Sequence, residues 1–361
     1  MDRIADIYPE YDVMKYPYSK YAFADGGGGK GKFIGLTWDA IIGRDLACCV
    51  DAFWPCMDDP EVVAYLQERA AWKGMEPEDI TPDYIRKNVE DNILLELFRA
   101  AKCQWIQGNF GMSQGAVGYA AVALNRLPES KEMVDWIFRR QTMSGYGYST
   151  VISGGDVMRT LVEEIDRDGF GNEGSYSYNS IMEGYVLDVA DSLEGFTLVE
   201  NADLYQNPKF ISMYSAAMRF TVGGHLTPQI HESGQVQSTN FIPNVERMTK
   251  VFAKTGDVDI AKAIYAANGN SVSGLHGDIF MEDPDAGLQN RIKQIVEEHG
   301  EWDLSESNML AGYGIAILRD GPQRYLGREN AHEFFDYWIG FGHTYISHAQ
   351  KIGRASCRER V

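Results

Sequence analysis

Two polar stretches carry the side chains able to do chemistry. The first is Gln107-Gly108-Asn109-Phe110-Gly111-Met112-Ser113-Gln114, which opens a segment rich in small residues, Gly115, Ala116, Gly118 and Ala120. Small side chains let a neighbouring element approach closely, and the spacing by itself reads as a capped helix start with Asn109 near the N-cap. The second stretch runs from Asp166-Arg167-Asp168-Gly169 through Asn172 and Glu173 to Tyr176-Ser177-Tyr178-Asn179. Counted from Asp166 its twelfth residue is Ser177, where an EF-hand needs a bidentate glutamate, so a calcium loop of that kind is excluded. The carboxylates leave two readings open, a glycosidase pair formed by Asp168 and Glu173 and a solvated acidic loop. Tyr176 and Tyr178 read by type as packing residues. A turn-rich loop from Gly223 to Gly234 holds His225, His231 and Glu232, and the last two are candidates for substrate binding.

The elements that must position these residues read as helices. Val117, Ala120, Ala121 and Leu124 fall at helical spacing, as do Met182, Tyr185, Val186, Val189 and Leu193. Thr81 before Pro82 is a helix start, with a hydroxyl cap and proline at the first helical position, and Val89, Ile93, Leu97 and Phe98 then line one face. The pattern predicts further helices over 38–53, 61–72, 131–138, 156–165, 208–221, 245–252 and 286–298. Connections are polar and glycine-rich, and nothing reads as a parallel βαβ unit. The expected fold is therefore mostly α. After Glu301 the pattern changes to apolar and aromatic runs around an Asp320-Gly321-Pro322 turn, which predicts strands over 308–318 and 333–348 and a boundary near Asp303.

Composition narrows the function classes. Against 33 Lys and Arg stand 52 Asp and Glu, so the net charge is −19 and a nucleic-acid partner, which needs a basic footprint, is not expected. No stretch approaches the roughly 20 apolar residues that span a bilayer, so no membrane partner is expected either. The first residues lack the basic and continuous apolar regions of a secretory signal. The last ten residues, IGRASCRERV, resemble a translated sequencing-library adaptor, and residues 352–361 are expected to be an artefactual tail on a longer open reading frame. Its three arginines less Glu359 contribute +2, so the remaining residues carry −21. Cys48, Cys49, Cys56 and Cys103 show no CxxC pair or zinc spacing and read as packing residues.

The runs GNFGMSQGAVGYAAVALN, GGDVMRTLVEEIDRDGFGNEGSYSYN and NADLYQNPKF, in that order, resemble the heparinase II/III-like family of polysaccharide lyases, and the resemblance covers roughly Lys32 to Lys351. It implies an incomplete α/α toroid over residues 1–303, followed over 304–351 by the first strands of a truncated β-sandwich. It also implies cleavage of a uronate-containing acidic polysaccharide by β-elimination, in the periplasm or outside the cell. No cofactor is implied for these residues, although some members carry a structural zinc in the sandwich. Tyr178 matches the family's catalytic tyrosine in an E-x-S-x-x-Y-like setting that begins at Glu173.

That chemistry agrees with the residue types. Removing the proton α to a uronate carboxylate builds charge on the carboxylate, and the amides of Asn109 and Gln114 are neutral donors able to hold it. One tyrosine, Tyr178, can take the carbon-bound proton and protonate the leaving oxygen on the same face, provided its phenolate is stabilised, because an ordinary phenol titrates near about 10. No arginine is assigned to that task by position in the chain. Trp105, four residues before Asn109, is the aromatic expected nearest the site, with Glu173, His231 and Glu232 as further substrate contacts. Two departures stand out. Phe110 and Ser113 occupy places where relatives often have a histidine, and the family's H-x-H-x-D pattern is reduced to His348 between Ile346 and Gln350, which weakens a zinc site. The alternatives are a toroid glycoside hydrolase using Asp168 and Glu173, and an inactive glycan-binding chain.

Overall fold

The computed structural model describes residues 1–13, 31–33, 38–145, 149–171, 176–221, 243–277, 286–303, 305–319 and 336–340. The described chain is mostly helical, with two small antiparallel sheets. Its helices are α1 (Asp2–Ile7), α2 (Trp38–Phe53), α3 (Pro60–Gln67), α4 (Pro82–Val89), α5 (Glu96–Lys102), α6 (Met112–Leu124), α7 (Glu129–Phe138), α8 (Val157–Arg159), α9 (Tyr176–Ser192), α10 (Pro208–Phe220), α11 (Val245–Thr255), α12 (Val258–Ala267) and α13 (Ala286–His299). Wider π turns, Glu90–Leu95 and Thr160–Glu164, join α4 to α5 and extend α8.

Local chemistry explains many of the starts. Asp59-Pro60, Thr81-Pro82 and Asn207-Pro208 each place a side-chain acceptor at the N-cap and a proline, which has no N–H to lose, at the first helical position. Asn244 and Asp257 cap α11 and α12 in the same manner, accepting from Arg247 N at 3.0 Å and Ile260 N at 2.9 Å. α12 is not among the helices expected from the sequence, although Ile260, Ala261, Ala263 and Ile264 form its buried face at helical spacing. The sequence reading also extended α3 to Trp72, whereas the helix ends at Gln67 and a 3-10 turn follows to a left-handed Gly74.

The chain forms two compact units. The first comprises Met1–Arg159 and Tyr185–Asp203. In it α2, α6 and the second half of α9 pack side by side. Gly111, Gly115 and Gly118 mark the α6 face: a Cβ at Gly111 would lie 2.7 Å from the Tyr185 backbone, one at Gly115 would lie 3.0 Å from Asp188 Cβ, and one at Gly118 would strike Ser192 Oγ. Arg44 on α2 reaches Asp188 on α9 at 2.7 Å. In the same unit the buried Lys32 ammonium pairs with Glu96 and donates to the Tyr8 and Pro9 carbonyls at 3.2 Å each, so this cation is fully solvated by protein.

The second unit comprises Thr160–Gly184 and Leu204–Val361. Its strands β3 (Asn308–Leu310), β4 (Ile315–Arg319) and β5 (Asp336–Gly340) form one antiparallel sheet in the order β3-β4-β5; the other sheet pairs β1 (Met143–Ser144) with β2 (Val151–Ile152) in the first unit. The single strand expected over 308–318 is instead a hairpin. Gly314 takes a left-handed φ of 86° and its N–H donates to Leu310 O at 2.7 Å, which turns the chain between β3 and β4. Phe170, Tyr176, Ala216, Ala217, Leu310, Tyr313, Ile315 and Ile317 make a common core, with Phe170 stacked on Tyr313 at 4.8 Å.

The glycine seam yields a stability prediction. Gly118→Ala should cost about 1 to 3 kcal/mol in urea unfolding, the range for overpacking, despite alanine's better helix propensity. Adding Ser192→Ala should recover part of that loss; a single variant as stable as the parent would show that the two helices are not in close contact there.

Candidate functional site

The loop 166–171 and the first turns of α9 form the chemically richest region of the second unit. Asp166 Oδ1 accepts from Asp168 N at 2.8 Å and from Phe170 N at 3.2 Å, which folds the loop back on itself. Burial raises the Asp166 carboxyl, opposed by those two backbone N–H groups. Asp168 Oδ2 accepts from Gly312 N at 2.8 Å, so this carboxylate ties the β3–β4 turn to the loop. Asn179 Oδ1 accepts from Gly171 N at 2.9 Å and fastens the loop to α9.

The two tyrosines of this helix start part company. Tyr176 is 2% exposed, packs edge-on against Phe170, and is held well above its ordinary range, first by burial and then by the Glu183 charge. It keeps its proton. Tyr178 is half-buried on the same first turn. One turn and more beyond Tyr176, Glu183 is 7% exposed and lines a small cavity with Tyr176, Asn179 and Ser180, a space of about 10 Å³, near the size that admits one water. Burial pushes the Glu183 carboxyl up to about 7 from its ordinary 4.5, against the pull of Arg247. Arg247 comes from α11: its Nη1 donates to Ser180 O at 2.6 Å and Ser180 Oγ at 3.3 Å, and its guanidinium lies over Gly184, where a Cβ would meet it at 2.6 Å. From α10 the Tyr214 hydroxyl donates to the Glu183 carbonyl at 3.1 Å.

The other sequence candidates lie in the first unit or outside the described residues. Asn109 is half-buried ahead of α6, and its carbonyl accepts from Met112 N at 3.1 Å. The N-cap is Gly111, not Asn109, because the left-handed backbone there (φ 97°) and the Tyr185 backbone exclude a side chain. Gln114 is 8% exposed and engaged at both ends, its Oε1 accepting from Gly111 N at 3.1 Å and its Nε2 donating to Gly155 O at 2.8 Å. Trp105 carries Lys32 and Arg99 at 5.3 and 4.9 Å from its ring. Glu173, His231, Glu232 and His348 lie outside the described residues. Among the described residues no three His, Cys, Asp or Glu side chains are grouped to hold a metal ion, and no helix is long and apolar enough to cross a membrane.

Glu183 and Arg247 escape sequence reasoning for different reasons. Glu183 sits in a stripe whose neighbours are apolar, and the spacing Tyr176, Asn179, Ser180, Glu183 was the one available signal of a polar face. Arg247 is 67 residues from its Ser180 partner and has no local signature. Comparison with family models, curated proteins and solved structures returns no match.

The buried carboxyl has a measurable pH signature. A group whose folded pKa is raised contributes stability that is complete below its unfolded pKa and is lost as pH rises through the folded value, here from about 4.5 to about 7. Glu183→Gln cannot ionise. Between about pH 5 and pH 8 the parent should therefore lose on the order of 3 kcal/mol of unfolding free energy relative to the variant. Parallel pH profiles in urea unfolding would mean that Glu183 does not change charge in the folded protein over this range.

Proposed function

We propose that the protein is a polysaccharide lyase that cleaves a uronate-containing acidic polysaccharide by β-elimination, with Tyr178 as base and acid and Asn109 as the neutraliser of the uronate carboxylate. The observation that carries this reading is the division of labour at the start of α9. The buried Tyr176 is committed to the Phe170 core and holds its proton, which leaves the half-buried Tyr178, the residue in the E-x-S-x-x-Y-like setting, as the tyrosine for proton transfer. The order of the three sequence motifs supports the same assignment.

In this reaction Tyr178, as phenolate, takes the proton from the carbon α to the carboxylate. The carbanion's charge spreads onto the carboxylate oxygens, which are already negative, and an amide donor such as that of Asn109 stabilises the added charge and so raises the acidity of the α C–H. Collapse of the enolate expels the glycosidic oxygen across the new carbon–carbon double bond, and the phenol returns its proton to that oxygen. No water enters. Gln114 serves by holding Gly111 and Gly155, which sets the chain that carries Asn109. In the hydrolase alternative Asp168, whose Oδ2 accepts from the Gly312 N–H, would be one of the two carboxylates.

The test is product chemistry on a panel of uronate polysaccharides. An unsaturated, ultraviolet-absorbing product formed without oxygen exchange from water is expected, whereas reducing ends without that absorbance would establish a hydrolase. Tyr178→Phe should abolish turnover and leave folding and binding nearly intact. Asn109→Ala should lower turnover roughly a hundredfold or more, about 2.7 to 4 kcal/mol, the scale of one lost oxyanion donor. The two losses should not add, because they serve one step. Normal turnover by a folded Tyr178→Phe protein would remove Tyr178 from the mechanism.

A further inference from the structure

A second polar cleft lies in the same unit as Tyr178. The end of α10, one face of α12, the segment after α13 and the β3–β4 hairpin border an open cleft of about 320 Å³, lined by Arg219, Asp259, Lys262, Trp302, Asp303 and Glu306, with Asn308 and Arg319 at the hairpin. Pockets that hold small ligands begin near about 300 Å³. Three cations, three carboxylates and one indole therefore line the same cleft.

The charges are not all free to respond to a ligand. Arg219 stands 3.6 Å from Asp259. Arg319 is anchored, its Nη1 donating to Glu306 O at 2.9 Å and its Nη2 to Thr221 O at 2.8 Å. Asp303 Oδ1 accepts from both the N–H and the hydroxyl of Ser305, at 2.7 and 2.6 Å, and those bonds hold its carboxyl below the usual range, with Arg319 and Lys262 adding to the effect. Lys262, half-buried and lining the cleft, makes no ion pair among the described residues and is the cation there without a salt-bridge or carbonyl anchor.

We infer that this cleft is a binding subsite for a pyranose bearing a carboxylate, with Trp302 stacking on the sugar face, Lys262 meeting the carboxylate, and Asp259, Asp303 and Glu306 accepting from sugar hydroxyls. The mixture of charges selects the ligand class. An inorganic anion would match only the cations and a metal ion only the carboxylates, each leaving the opposite charges of the cleft unmatched. A uronic acid presents hydroxyl donors to the carboxylates, an anion to the ammonium and a C–H face to the indole. The placement also answers the charge problem. A chain of net charge −19 repels a polyanion at long range, and a cleft whose three cations offset its three acids removes that opposition locally. The identity of the polymer rests on the elimination reading; the sugar chemistry rests on the cleft.

The experiment is calorimetric titration of the Tyr178→Phe protein, which binds without consuming ligand, with oligogalacturonate, oligo-alginate and a neutral cello-oligosaccharide of matched length. At least one uronate oligomer should bind more tightly than the neutral one. Lys262→Ala should weaken that uronate about tenfold, the scale of one charge-assisted hydrogen bond, and leave the neutral sugar unchanged. Lys262→Arg should restore most of the loss. Trp302→Ala should weaken both sugars, and if that variant does not fold the Lys262 pair still decides the matter. Unchanged dissociation constants in Lys262→Ala and Trp302→Ala would overturn the inference, as would displacement of the sugar by inorganic phosphate. The two readings fail separately. Lysine-dependent uronate binding in a protein whose parent forms no unsaturated product keeps the subsite and ends the lyase proposal. Elimination with KM unmoved by either substitution does the reverse.

Discussion

The close approach of α6 to the second half of α9 is the constraint on which the first unit depends. Van der Waals contact between two helix backbones requires that one of them present almost no side chain, and Gly111, Gly115 and Gly118 do so against Tyr185, Asp188 and Ser192. The same seam brings Asp188 within reach of Arg44 on α2, so three helices share one contact line. It also dictates where α6 begins. With the Tyr185 backbone pressed against position 111, only a glycine in a left-handed conformation fits as N-cap, and Gln114 must supply from its own side chain the acceptor that Gly111 N needs. Asn109 is thereby displaced outward from the cap and released from capping duty.

The second unit is organised around a ring stack and an acidic loop that is structural before it is anything else. Phe170 lies between Tyr176 and Tyr313, which joins the loop to α9 and to the hairpin in one apolar core. Asp166 closes the loop through backbone N–H groups, and Asp168 receives the hairpin through Gly312. A Cβ at Gly312 would lie 2.7 Å from the Asp166 side chain, so the turn packs directly against that carboxylate.

Electrostatics follow the same economy. The chain carries a large excess of acid, yet its cations are placed where they act. Lys32 is buried against Glu96, Arg247 lies across Ser180 and Gly184 beside the buried Glu183, and Arg219, Lys262 and Arg319 converge on one cleft. Net charge describes the far field, whereas binding and proton transfer respond to charges within a few ångströms, where the local dielectric is low.

Local signals in the amino-acid order determined much of the helical frame. Thr81-Pro82 starts α4, α2 covers the expected 38–53, and Val89, Ile93, Leu97 and Phe98 are all buried, because a cap and a 3.6-residue apolar repeat act over a few residues and survive most contexts. The helical repeat from Met182 to Leu193 was legible for the same reason, whereas the start of α9 at Tyr176 lies in what reads as a polar stretch. Tertiary structure decided the rest. Whether Tyr176 or Tyr178 is buried depends on Phe170 and the hairpin core. Whether Asn109 or Gly111 is the cap depends on how near Tyr185 comes, and the break of 308–318 into a hairpin depends on Gly314 turning where a strand pattern continues. The proximity of Arg247 to Ser180 and the convergence of Arg219, Lys262, Trp302 and Arg319 join residues far apart in the chain, and no spacing rule relates them. Their meeting is set by packing of whole helices, which a one-dimensional pattern does not encode.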